Sequence, residues 1–172
     1  MERLTAQDLI TFWPELRGWP QDLGALAVLD GAGLLDERGE LALAPVRAAI
    51  ESRLALVPRF RQVLYVPRLG LGRPLWVDAP SFDIDEHVQA VRVPAPGDEQ
   101  QLVAVVEQLR LRPLPRSRPL WQIWFLPGLT GGQVGFYLRV HHAVADGPAA
   151  LSMLGALLGS AADEPAHPPA PA

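Results

Sequence analysis

Two adjacent imidazoles, then a carboxylate and a glycine, form the most chemically suggestive segment of the chain: His141-His142-Ala143-Val144-Ala145-Asp146-Gly147. The segment follows a run of β-branched and aromatic residues and precedes Pro148, so it reads as a turn between a buried strand and a helix. A neutral imidazole held there in a mostly apolar channel can take a proton from a hydroxyl as that oxygen attacks an ester or thioester carbonyl. Gly147 is expected to permit an unusual backbone angle before the helix begins. On composition alone, a His pair with a nearby Asp is more often a hydrogen-bonded turn than an active site. A metal site would hold two His and one Asp and lack an evident further ligand, since His87 and His167 lie far away in sequence and there is no Cys. No metal is therefore expected. No Ser or Cys nucleophile stands in a suitable motif, and Ser152 reads as a packing or back-bonding residue inside the following helix.

The elements around this segment must position it. In Gln133–Val140, Val134, Phe136, Leu138 and Val140 share one face by the period of two, and Gly135, Tyr137 and Arg139 take the other. If the strand persists, His141 continues the Arg139 face and His142 the apolar one, so the two need not share a task. Leu120–Leu126 is equally rich in aromatic and branched residues and is joined to it by a Gly-rich turn, which predicts a hairpin. Trp121 and Trp124 fall on opposite faces and read first as core. After Asp146-Gly147, an Ala- and Leu-rich helix runs from Pro148 to about Leu158.

Upstream, Gly24–Leu29 is a small apolar strand. A helix opens at Pro45, with Val46, Ile50, Leu54 and Val57 on one face, and Pro58 stops it. Strands are expected at Gln62–Val66, Pro74–Val77 and Val88–Val93, and Asp98 caps a helix with Leu102, Val105, Val106 and Leu109 inward. Thr5-Ala6-Gln7-Asp8 makes a cap-like start to a short helix reaching Trp13, which Pro14 ends. From Ser160 the sequence SAADEPAHPPAPA is a linker or tail by composition. The expected organisation is one domain over residues 1–159 and a Pro/Ala-rich linker or tail over 160–172.

Composition excludes several classes. A chain of 172 residues holds one domain with a real core, and 49% hydrophobic with 20% charged residues is globular rather than disordered. A net charge of -4 without a basic block argues against nucleic acid as a partner. The absence of Cys removes disulfides and thiol nucleophiles and permits a cytoplasmic location. No signal peptide is visible after Met1-Glu2-Arg3. Pro119–Leu138 is uncharged and long enough to span a bilayer, but Pro127-Gly128 and Gly131-Gly132 break it into two strands and a turn.

The HHxxxDG segment is the signature of a superfamily that includes chloramphenicol acetyltransferase, peptide-synthetase condensation domains and wax ester synthases. Pro113-Leu114-Pro115-Arg116-Ser117-Arg118-Pro119-Leu120-Trp121 resembles the PLxRxRPLW stretch of the wax ester synthase/diacylglycerol acyltransferases. Val57-Pro58-Arg59-Phe60-Arg61 is similar to their P-x-F-R element, and the resemblance runs from about Leu4 to Leu158. The chain departs from the family pattern at Pro115, at the Thr5–Asp8 opening, and at Pro20-Gln21-Asp22-Leu23-Gly24, where the family has P-M-H-x-G.

The resemblance implies an α/β fold, half of the chloramphenicol acetyltransferase-like architecture, with a mixed β-sheet flanked by helices. It implies acyl transfer from acyl-CoA, a co-substrate rather than a cofactor, to the hydroxyl of diacylglycerol or a fatty alcohol. His142 would be the general base, and His141, Asp146 and Gly147 structural parts of the motif. Asp146 would pair with an Arg, for which Arg59, Arg61 and Arg139 are the candidates. It also implies a second acyltransferase domain, with the tunnel between the two, and otherwise self-association to supply the missing wall. Contact with membrane or lipid droplets would be peripheral. Two alternatives stand beside it: a condensation-type enzyme using carrier-bound thioesters, against which the RPLW stretch argues, and a non-catalytic lipid-binding or interaction fragment.

Overall fold

The computed structural model describes residues 2–4, 14, 17, 19–67 and 72–159. The helix expected up to Trp13 and the tail over 160–172 lie outside these residues, apart from Leu4, which is buried.

Three long apolar strands build the centre. β2 (Asp22–Asp30), β6 (Trp121–Pro127) and β7 (Gln133–His141), with the short β5 (Val88–Ala90), form a sheet in the order β2-β7-β6-β5. β2 and β6 both run antiparallel to β7, whereas β5 pairs with β6 in parallel, so the sheet is mixed. A parallel neighbour requires a crossover. Here that crossover contains helix α2 (Glu99–Arg110), which a capping box at Asp98 and Gln101 starts. A second sheet, β1 (Glu2–Arg3), β4 (Leu75–Asp78) and β3 (Gln62–Tyr65), is antiparallel in the order β1-β4-β3.

The alternation expected for the hairpin decides which core each residue enters. Trp121, Ile123 and Phe125 of β6 and Val134, Phe136, Leu138 and Val140 of β7 face one cluster, with Ile50, Phe60 and Leu157. Trp124, Leu126 and Tyr137 face the other, built on Leu102, Val105, Val106 and Leu109 of α2. The sheet thus has helices on both sides. Gly135 permits the close approach of α2: a Cβ there would lie 2.8 Å from Leu102 Cδ1.

Helix α1 (Leu43–Arg53) differs from expectation at both ends. It begins two residues before Pro45, and past Arg53 the chain tightens into 3-10 turns at Leu54–Leu56 and Pro58–Arg61. Pro58 therefore opens a turn rather than simply ending a helix, while Leu54 and Val57 are still buried. Strand β5 is shorter than predicted, yet Val91 and Val93 N–H still bond the carbonyls of Phe125 and Pro127, so the chain keeps tracking β6. Helix α3 (Gly147–Leu158) follows the motif directly. The Arg53 guanidinium donates to Leu157 O at 3.2 Å, which ties α1 to the end of α3.

Candidate functional site

The His pair occupies a turn whose two halves are treated differently. β7 ends at His141, paired with Asp22, and the ladder continues one step as His142 N–H donates to Gln21 O at 2.8 Å. Val144 N–H then bonds His141 O at 2.8 Å and closes a turn with His142 and Ala143 at its crown. The His141 side chain is fully buried, and its Nδ1 accepts the Ala143 N–H at 3.0 Å. An accepting Nδ1 places the ring proton on Nε2. His142, by contrast, is half-buried. His141 therefore holds the turn, and His142 is the imidazole presented by it.

Asp146 is architectural in a way the sequence did not suggest. Its Oδ1 accepts the Ala149 N–H at 2.9 Å, so it is the N-cap of α3. Among the described residues the structure records no ion pair between Asp146 and an arginine. The three candidates are engaged elsewhere: Arg59 donates to Gln62 and lies over the Trp76 ring, Arg61 lies over Phe82, and Arg139 pairs with Asp22. Gly147 also departs from expectation. Its φ is outside the left-handed region, and a Cβ added there would meet nothing within 4 Å. Backbone shape does not demand glycine at this position. Ser152 Oγ donates to Pro148 O at 3.1 Å, the back-bonding expected of it.

Arg139, one of the three candidate partners of Asp146, instead builds a buried bracket. Its side chain is 2% exposed; Nε donates to Asp22 Oδ2 at 3.0 Å and Nη1 to Leu109 O at 3.1 Å, with a further bond to Arg112 O. The bracket joins β7, the start of β2 and the end of α2. It also anchors the residue next to Gln21, whose carbonyl holds His142. Asp22 belongs to the segment that departs from the family pattern, and only tertiary contact reveals its partner. Burial pushes the nearby Tyr137 phenol above its ordinary value, against the opposing influence of the Arg139 guanidinium.

His87 is a second feature that sequence reasoning missed. It is buried between Phe82 and Trp121, at centroid distances of 5.0 and 4.5 Å, and its Nδ1–H donates to Trp121 O at 2.8 Å. Burial lowers its pKa below the ordinary 6.5, more than the hydrogen bond to Trp121 raises it. Neither neighbour signals this in sequence, since both read as ordinary core aromatics. Among the described residues no cluster of three or more His, Asp or Glu side chains could hold a metal.

Beside the motif lies a cavity of about 430 Å³ with wholly apolar lining. Two cross-strand pairs form its sheet side, Leu23 with Val140 and Ala25 with Leu138, and Gly147, Ala150 and Leu151 of α3 border the other. A larger cleft of about 760 Å³ opens near the Asp22–Arg139 pair and is lined by charged as well as apolar residues. Among the described residues no helix is long and apolar enough to cross a membrane.

The chain is similar in sequence and in fold to known proteins. A probable diacylglycerol O-acyltransferase of Mycobacterium tuberculosis is 34% identical over 168 residues, covering 98% of this chain and 59% of the relative. The solved wax ester synthase/diacylglycerol acyltransferase of Marinobacter aquaeolei VT8 superposes with a TM-score of 0.69 at 27% identity, covering 88% of this chain and 37% of that one. The first condensation domain of the calcium-dependent antibiotic synthetase gives a TM-score of 0.68 at 19% identity, covering 91% of this chain and 36% of that one. The fold is that of the chloramphenicol acetyltransferase-like proteins. The chain spans between 25% and 59% of the length of the curated relatives it matches. The sequence profile of the wax ester synthase/diacylglycerol acyltransferase catalytic domain matches residues 4–172, and the chain belongs to that family.

Proposed function

We propose that this chain carries the catalytic base of an acyl-CoA-dependent O-acyltransferase acting on diacylglycerol or a long-chain alcohol. His142 takes the proton of the acceptor hydroxyl as its oxygen adds to the thioester carbonyl. The tetrahedral intermediate collapses with cleavage of the C–S bond; the CoA thiolate leaves and receives the proton, and the ester remains. No acyl-enzyme and no cofactor enter this scheme.

The observation that carries the proposal is the contrast within the His pair. His141 is sealed in the turn by its bond to Ala143, and His142 is the one presented, two residues beyond Val140 at the apolar cavity. A base next to apolar lining suits a lipid substrate.

Holding two substrates in attack geometry can supply roughly 7–11 kcal/mol of a barrier, and one wall cannot hold both. A second acyltransferase domain, or failing that a second copy of this chain, supplies the opposite wall. Peripheral contact with a membrane or lipid droplet follows from such substrates. The test is thiol release from palmitoyl-CoA with dioleoylglycerol or hexadecanol, by this chain alone and with the second half of a relative added. Ester formed by the combination supports the proposal. Absence of ester and of thiol release in the folded combination contradicts it.

A further inference from the structure

We propose that the cleft between β2 and α2 binds the ester carbonyls of a glycerol diester, with the Tyr137 hydroxyl and Arg110 as donors. These two residues then favour diacylglycerol over a simple long-chain alcohol as the acceptor. The inference deepens the acyltransferase proposal and rests on it for the identity of the ligand.

The cleft, of about 760 Å³, lies on the Arg139 face of the sheet. Tyr137 lines it while being 2% exposed, and its hydroxyl makes no hydrogen bond among the described residues. A buried phenol ordinarily finds a partner inside the fold. Here the ring is packed, stacked on Trp124 with centroids 5.6 Å apart, and the hydroxyl is left to what fills the cleft. Tyr137 faces Leu26 across the strands, yet a Cβ at Gly24 would lie 3.0 Å from its oxygen. The phenol therefore leans diagonally toward the Gly24–Arg139 pair, at the end of the sheet that carries the His motif. Arg110 closes α2 at the same cleft, and its side chain has neither an ion pair nor a hydrogen bond among the described residues.

The unengaged groups define the ligand. Burial keeps the phenol protonated, so it donates, and a guanidinium can only donate. The ligand must therefore accept. Two carboxylates, Asp22 and Glu107, offset two guanidiniums, Arg110 and Arg139, which argues against an anion. An ester carbonyl accepts, is uncharged, and brings hydrocarbon to cover Leu26 and Val106. An amide would add an N–H in need of an acceptor. A long-chain alcohol has one oxygen, the one that reacts, and leaves both donors unmet. A 1,2-diacylglycerol keeps its hydroxyl for His142 and has two ester carbonyls besides. The cleft reaches the reacting end, since Pro20 and Asp22 line it and flank Gln21, whose carbonyl holds the His142 N–H.

The experiment is calorimetric binding of 1,2-dihexanoylglycerol, 1-octanol and pantetheine to this chain and to its Tyr137→Phe and Arg110→Ala variants. No acyl transfer is needed, so the cleft is tested apart from the reaction. Dihexanoylglycerol should bind the parent and lose about three- to tenfold in affinity in each variant, the share of one hydrogen bond, with a smaller loss for octanol. Because the hydroxyl makes no bond within the fold, Tyr137→Phe should melt at the parent's temperature. A lower melting temperature would mean that the hydroxyl is held inside the fold and overturns the inference. So does a parent that binds no diester, an unchanged affinity in Tyr137→Phe, or an equal loss for diester and octanol. A loss confined to pantetheine assigns the cleft to the acyl donor and overturns it as well.

In an active assembly, Tyr137→Phe should lower the ratio of kcat/KM for dioleoylglycerol to that for hexadecanol by about the same three- to tenfold. An unchanged ratio overturns the inference while acyl transfer itself stands. Weakened diester binding by the variants of a protein without acyl transfer leaves the cleft assignment standing and contradicts the catalytic proposal instead.

Discussion

Trp121 stacks on Phe60 with ring centroids 4.6 Å apart, and its indole N–H donates to the Phe60 carbonyl at 2.8 Å. Two segments recognised separately in the sequence, the RPLW stretch and the P-x-F-R element, thus meet in one buried contact. The stack continues through His87 to Phe82, over which Arg61 lies. Trp121 pairs across the sheet with Val140, two residues before His142, so this column of rings supports the strand that ends in the motif.

Trp121→Phe keeps an aromatic ring but leaves the Phe60 carbonyl without its donor. An unsatisfied buried acceptor costs about 1–3 kcal/mol. Urea unfolding should show a lower midpoint with an unchanged slope. An unaltered midpoint would mean that the carbonyl finds another donor and the contact is not a strut.

Asp22 and Asp146 should separate cleanly. Asp22→Asn leaves the Arg139 guanidinium buried without its carboxylate and should destabilise by about 3–5 kcal/mol. Asp146→Ala removes only a helix cap, about 1 kcal/mol, and Asp146→Asn preserves the cap and should be nearly neutral. Thermal unfolding of the three variants checks the order. A larger loss from Asp146→Asn than from Asp22→Asn would restore the ion pair that the sequence suggested for Asp146.

Acid should weaken the fold through His87. Burial holds its native pKa below the value of 6.5 that it has in the unfolded chain, so between these values the unfolded chain binds more protons. Stability from this group is complete above pH 6.5, falls as pH drops through the native pKa, and then levels off. His87→Phe retains the stacking and lacks the titration. Its melting temperature should fall less than that of the parent between pH 6.5 and about 5, above the range in which carboxylates dominate. Parallel curves would contradict the role given to His87.

Periodicity revealed what local pattern controls. The inward set Leu102, Val105, Val106 and Leu109, the cap at Asp98, the hairpin, and the opposite facing of Trp121 and Trp124 all follow from spacing alone. Alternation sets His141 and His142 on opposite faces, but it does not say that His141 is the buried one; the turn closed on the Ala143 N–H decides that. Long-range polar pairing was illegible. Arg139 and Asp22 lie 117 positions apart, and nothing local distinguishes Asp22 from the other carboxylates as its partner. Gly147 was misread for a related reason: glycine signals either backbone freedom or empty space, and only coordinates tell which.

The two histidines should also differ in how they fail. His141→Ala removes the acceptor of the Ala143 N–H and should lower melting temperature and turnover together. His141→Asn, whose Oδ1 reaches roughly where Nδ1 lies, should recover both in part. Equal melting temperatures for His141→Ala and the parent would deny His141 its hold on the turn.

The most direct measurement is CoA release by an active assembly carrying His142→Ala, at matched fold content by circular dichroism. With His142 as general base, turnover should fall on the order of 10²- to 10⁴-fold while the melting temperature stays close to that of the parent. Parental turnover by the His142→Ala protein would contradict the assignment.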